Sequence, residues 1–125
     1  MKVLWITPKW TLPAIDGARV ATETLLSNTS ASDIRIDYLC FANQDDKISK
    51  IEMKAKWDID DIFILKRNLP SNKIGKLIYY FFKMLTHPRT PLTFTSFVTK
   101  RNQAFTKEIL GSKQYDIILL DGLHT

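Results

Sequence analysis

A chain of 125 residues with 45% apolar and 25% charged side chains suffices for one domain with a real core, and this composition excludes a disordered chain. Eighteen basic against thirteen acidic side chains give a net charge of +5, a mild bias toward acidic partners such as phosphates or anionic lipid. The single cysteine, Cys40, excludes an internal disulfide and reads as a small buried apolar residue in a reducing compartment.

The opening "MKVLWITPKW" is not a signal peptide, because its apolar core is shorter than the roughly seven to fifteen residues of such a segment. No stretch approaches the roughly eighteen apolar residues of a membrane-crossing helix. A cytoplasmic chain is therefore expected, with membrane contact at most peripheral. Residues 3–7 read as a fully buried strand, β-branched and aromatic with no polar alternation. The stiff connection "PKWTLPAID" follows, long for a strand-to-helix link. From Gly17 the pattern is helical. Asp16 is placed as the N-cap, and Ala18, Ala21 and Leu25 define the inward face, with Leu26 beside them.

Residues 34–41 form a second strand, and residues 45–55 a short polar helix or irregular crossover. "DIFILK", residues 61–66, is a third strand, and a helix spans 73–86. Pro88 and Pro91 break the chain before another helix at 93–110, whose face carries Phe94, Phe97, Val98, Phe105 and Ile109 and whose C′ stop is Gly111. Residues 117–120, "IILL", form the last strand. Continuous apolar strands separated by helices imply a parallel sheet covered on both faces, with right-handed connections. Ligands of such sheets sit beyond the carboxyl ends of the strands. If the first and last strands are neighbours, the loops "PKWTLPAIDGAR" and "DGLHT" meet at one crevice.

Three features carry candidate chemistry. A helix amino terminus at Gly17, with Lys9 and Arg19 near it, suits a phosphate or a sugar hydroxyl; the competing reading is a plain turn glycine, since G-x-G-x-x-G is lacking. Asp121 and His124 follow the last strand, where a carboxylate and an imidazole can share a ligand; the competing reading is an N-cap and an exposed histidine. His87 reads as a loop residue. In "KIGKLIYYFFKML", residues Ile74, Leu77, Ile78, Phe81, Phe82 and Leu85 make a wide apolar face flanked by Lys73, Lys76 and Lys83. The favoured reading is an ordinary helix packed on the sheet, and the other is an interfacial helix on anionic membrane. There is no Cys/His metal spacing, no G-x-x-x-x-G-K-[ST] and no G-x-S-x-G. The basic residues are not clustered with aromatics, so neither a metal nor nucleic acid is expected.

"MKVLWITPKWTLPAIDGARVATETLL" resembles the opening of bacterial GT-B glycosyltransferases, especially the family 4 retaining enzymes. These begin with a lysine, an apolar strand ending in T-P, a proline-containing loop and a glycine turn followed by Arg. "YDIILLDGLHT" resembles the fourth strand of the same family. The resemblance covers the whole chain and is sharp at its two ends. It implies a Rossmann-like parallel sheet of about four strands, order 3-2-1-4, forming part of an acceptor-side domain. A second, donor-binding domain with two glutamates seven residues apart completes such enzymes, and this chain corresponds to roughly the first third. The resemblance also implies an intact enzyme of polysaccharide synthesis that moves a sugar from a nucleotide-sugar, its substrate rather than a cofactor, to a glycan or lipid-linked acceptor. The isolated chain is then expected to be inactive.

Carried onto this sequence, the glycine turn of the family corresponds to Asp16, Gly17, Ala18 and Arg19, with Gly17-Ala18 where relatives often have two glycines. The histidine that follows the fourth strand in many members corresponds by spacing to Asp121, and His124 lies three residues later. A strand order of 3-2-1-4 would leave the apolar "IILL" at an edge, so self-association through residues 115–121 is expected. The reading from another class is a noncatalytic α/β binding or assembly module, peripheral to a membrane. A receiver-like domain has little support, since only Asp121 stands at a strand end.

Overall fold

The computed structural model describes residues 1–29, 33–43, 47–67, 69–89, 91 and 95–122. The elements run β1 (Lys2–Thr7), α1 (Gly17–Thr29), β2 (Arg35–Ala42), α2 (Lys50–Trp57), β3 (Ile59–Lys66), α3 (Lys73–Thr86), α4 (Lys100–Ser112) and β4 (Ile117–Leu120). The four strands form one parallel sheet in the order β3-β2-β1-β4. The fold is thus α/β, as the strand and helix patterning implies, and β1 and β2 occupy its interior.

Strand alternation divides the core in two. On one face Trp5, Ile36, Tyr38, Cys40 and Ile62 pack with Leu26 of α1 and with Met53 and Trp57 of α2. On the other, Leu4, Leu39 and Leu65 meet Ile109 of α4, with Phe63 and Phe105 beside them. The layers are cross-tied. Trp57 Nε1 donates to Ser27 Oγ at 3.0 Å, and Lys56 pairs with Glu23. Ser49 caps α2 by accepting from the Glu52 amide, and Asp58, at φ 40°, turns the chain directly into β3. That turn explains why β3 begins two residues ahead of the expected start.

Several expectations are corrected. The inward face of α1 is Thr22 and Leu26, whereas Ala18, Ala21 and Leu25 are exposed. The helix lies with its polar-leaning side on the sheet because Thr22 has a carboxylate partner there. α4 starts at Lys100, since Thr99 is extended and caps it by accepting from the Asn102 amide at 3.1 Å. Phe97 and Val98 therefore precede the helix, and Phe94 lies outside the described residues. Gly111 is helical and is not a C′ stop: the helix continues to Ser112, and the Lys113 amide donates to the Ile109 carbonyl. The glycine is tolerated there at a cost of about 1 kcal/mol.

The amino end of the sheet is closed by ions. Asp37 is fully buried and accepts from Lys113 at 2.9 Å and Tyr115 Oη at 2.8 Å, with Lys2 at 3.5 Å. Lys113 also pairs with Asp61.

Candidate functional site

The nine-residue segment before α1, residues 8–16, is long because it contributes to the core. Trp10 is fully buried within the cluster around Trp5 and Tyr38. Thr11 is buried beside it, and its hydroxyl lies 2.5 Å from Tyr38 Oη. Burial pushes the Tyr38 phenol far above its usual range, so this contact is between two neutral hydroxyls. The loop is thereby pinned to the middle of β2, and it delivers Asp16 to the start of α1.

Asp16 caps α1 as its sequence position implies. Its Oδ1 accepts from the Arg19 amide at 2.9 Å, and its Oδ2 lies 3.3 Å from Lys9 Nζ and 3.7 Å from Arg19 Nε. The Arg19 amide, then the Lys9 ammonium, holds the Asp16 carboxyl below its ordinary range. Gly17 follows in open space: a Cβ there would meet nothing within 4 Å. Packing therefore gives no reason for a glycine at this position.

Asp121 reaches the same place from β4. Its amide donates to the Ile6 carbonyl at 2.8 Å. Its Oδ2 accepts from Trp5 Nε1 at 3.1 Å and from Thr22 Oγ1 at 2.6 Å, joining β1, α1 and the end of β4. Gly122 then turns back at φ 67°, a left-handed conformation that favours glycine, with its Cα side against Pro8.

Two depressions meet along this line. The smaller, about 210 Å³, is lined by Lys9, Ala18, Arg19, Thr22, Asp121 and Gly122, among others. It is below the roughly 300–1,000 Å³ of pockets that enclose a whole small molecule, and suits a phosphate or one edge of a sugar. The larger, about 900 Å³, lies on the other side of Pro8, Lys9 and Gly122, which border both. Its walls include Phe41, Arg67, Tyr80, Phe97, Asn102 and Lys107.

The structure thus brings Lys9, Ala18, Arg19 and Asp121 to one crevice, with Asp16 and Gly17 at the helix start adjoining it. His124 lies outside the described residues. The larger cleft was not anticipated from the sequence. Within it the Arg67 guanidinium stacks 4.2 Å from the Phe97 ring centroid and donates to Ser96 Oγ from Nε and Nη2. Phe41 meets Phe97 edge-on at 5.0 Å, and Asn102 Nδ2 donates to the Phe97 carbonyl. The available signal was "KR" at the carboxyl end of β3, the same end that holds the other loops. Among the described residues no three His, Cys, Asp or Glu gather as a metal site. In comparisons with known proteins, no family model, no curated protein and no solved structure matches the chain.

Proposed function

We propose that the chain is the acceptor-side portion of a glycosyltransferase that moves a sugar from a nucleotide-sugar donor to a glycan or lipid-linked acceptor. One observation supports this reading above the others: a small crevice beside the α1 amino terminus, with Lys9, Arg19 and Asp121 in its lining, and a large cleft share a wall at the carboxyl ends of β1 and β4. Sugar transfer needs two such regions in contact. One faces the developing negative charge of a leaving diphosphate, where helix amides and cations help. The other holds the acceptor.

In this reading the α1 amino terminus, Lys9 and Arg19 would face phosphate or sugar oxygens. Asp121, held by Trp5 and Thr22, would orient a sugar hydroxyl. The larger cleft has Phe41, Tyr80 and Phe97 for apolar contact and Lys9, Arg67 and Lys107 as cations, and among the described residues its lining includes no carboxylate. Those walls suit an anionic lipid-linked acceptor better than a neutral glycan.

Calorimetric titration with a water-soluble polyprenyl diphosphate sugar, a free oligosaccharide and a nucleotide-sugar tests the reading. Saturable binding of the lipid-linked sugar, weakened roughly tenfold or more by Phe97→Ala and by Lys107→Gln, is expected. No saturable binding of any of the three, or binding indifferent to both substitutions, contradicts it. The second reading, a noncatalytic α/β binding or assembly module, is favoured by the commitment of Asp121 Oδ2 to two structural partners.

A further inference from the structure

α3 is inside out. Ile74, Leu77, Ile78, Phe81, Phe82 and Leu85 share one face at helical spacing, and that face points to solvent: Ile74 and Leu77 are 72% exposed and Phe82 is 61% exposed. No residue of the helix is buried. The half-buried side carries Gly75, Lys76, Tyr79, Tyr80 and Lys83. Tyr79 Oη donates to the Thr95 carbonyl at 3.1 Å, and Lys83 Nζ sits over the Tyr79 ring. The expected helix packed on the sheet is therefore overturned: polar contacts hold α3 to the body and its apolar face is turned away. Six large side chains in one stripe form a patch of the kind that marks an interaction surface.

The charge around that stripe selects the occupant. Between positions 62 and 107 stand nine Lys or Arg and no Asp or Glu, while the rest of the chain holds nine basic and thirteen acidic residues. The positive charge of the molecule is thus concentrated in the aromatic-rich segment that carries α3, which corrects the expectation of basic residues not clustered with aromatics. Lys73, Arg89, Lys100, Arg101 and Lys107 of that segment are exposed. Pairing two copies through α3 would bring two such cationic segments together, which disfavours a homodimer there. An anionic bilayer satisfies both halves of the pattern, taking the apolar stripe into the acyl boundary and the cations at its headgroups. The fourteen residues of α3 span only about 21 Å, short of the ~30 Å hydrocarbon core, so the helix would lie in the interface plane.

We infer that α3 seats the chain on an anionic membrane surface. Tyr80 carries this surface to the rim of the large cleft, beside Arg67 and Lys107. The inference stands on α3 and the charge distribution and does not depend on the transferase reading.

Vesicle flotation of the full chain tests it. Vesicles of phosphatidylcholine with phosphatidylglycerol should carry the protein up at low salt and release it at high salt, while phosphatidylcholine alone should not carry it. Lys73→Gln should lower partition about fivefold at low salt. Leu77→Ser/Phe81→Ser should lower it about a hundredfold or more. Both positions are solvent-facing, so this variant should keep the far-ultraviolet dichroism of the wild type. Three outcomes overturn the inference: no flotation with anionic vesicles, flotation unchanged in a folded double variant, or a wild-type dimer that the double variant converts to monomer. The last would assign the stripe to a second copy.

Discussion

Trp10 sits in a loop by sequence and in the core by structure, and this residue sets the geometry of the site. It is completely buried, yet its Nε1 finds no hydrogen-bond partner among the described residues. Trp10→Ala should therefore cost about 3–5 kcal/mol in urea unfolding, while Trp10→Phe, which removes the unsatisfied N–H, should cost far less. Equal losses in the two variants would show that the indole N–H is satisfied after all. Asp121 makes the opposite case. Asp121→Ala strips the buried Trp5 indole of its acceptor and should cost about 1–3 kcal/mol by the same measurement. Gly17 separates packing from function. With open space around its Cβ, Gly17→Ala should stabilise the fold by about 0.4–1 kcal/mol. If a ligand approaches the α1 amino terminus closely, the same change should weaken it. Asp16 was readable as a cap because capping is local. Trp10 was not, because the burial of a loop residue is decided by a surface formed elsewhere in the chain.

At the scale of elements, periodicity identified what each segment is and not always where it faces. α3 has the bounds its pattern implies, but an apolar stripe does not say whether protein or something else covers it. α1 shows the same gap, since Thr22 faces inward for the sake of Asp121 while Leu25 is left outside. β4 is an edge strand with Ile117, Ile118 and Leu120 roughly half exposed, although its sequence reads as interior. An apolar edge of this kind offers unpaired backbone groups to another strand. Sedimentation should show concentration-dependent self-association that Ile118→Lys reduces, with slow amide exchange at Ile118 and Leu119 in the associated form. A monomer at high concentration with fast exchange at both amides would contradict it. This contact is separate from α3, so Leu77→Ser/Phe81→Ser should leave it intact.

The whole molecule has two unlike ends. Its amino end is sealed by Asp37, Asp61, Lys2, Lys113 and Tyr115. The Lys113 ammonium holds Asp61 below the ordinary 3.8, and Asp61, then Asp37, holds Lys113 above 10.5. Stability from Asp61 is fully present above its unfolded value and is lost as pH falls through its lowered one. Stability from Lys113 is fully present below its unfolded value and is lost as pH rises through its raised one. The urea midpoint should therefore be flat between about pH 4 and 10, and Lys113→Gln should move the acid limb to higher pH. An unmoved acid limb would remove Lys113 from the account. The carboxyl end is where the loops gather. Its location was legible from strand order and the parallel-sheet rule, and so were Lys9, Arg19 and Asp121. The large cleft was not, because Phe41, Arg67, Tyr80, Phe97 and Lys107 come from five separate segments that meet only in the folded chain.

We propose that the paired crevices at this end bind sugar and phosphate groups. Amide-shift mapping of the labelled chain during titration with a nucleotide-sugar, and separately with a lipid-linked sugar, tests it most directly. Shifts are expected at Gly17, Arg19, Thr22 and Gly122 with both ligands, extending to Arg67 and Phe97 with the lipid-linked sugar. Shifts confined to the amino end of the sheet, or none at ligand concentrations far above those of ordinary acceptors, would contradict it.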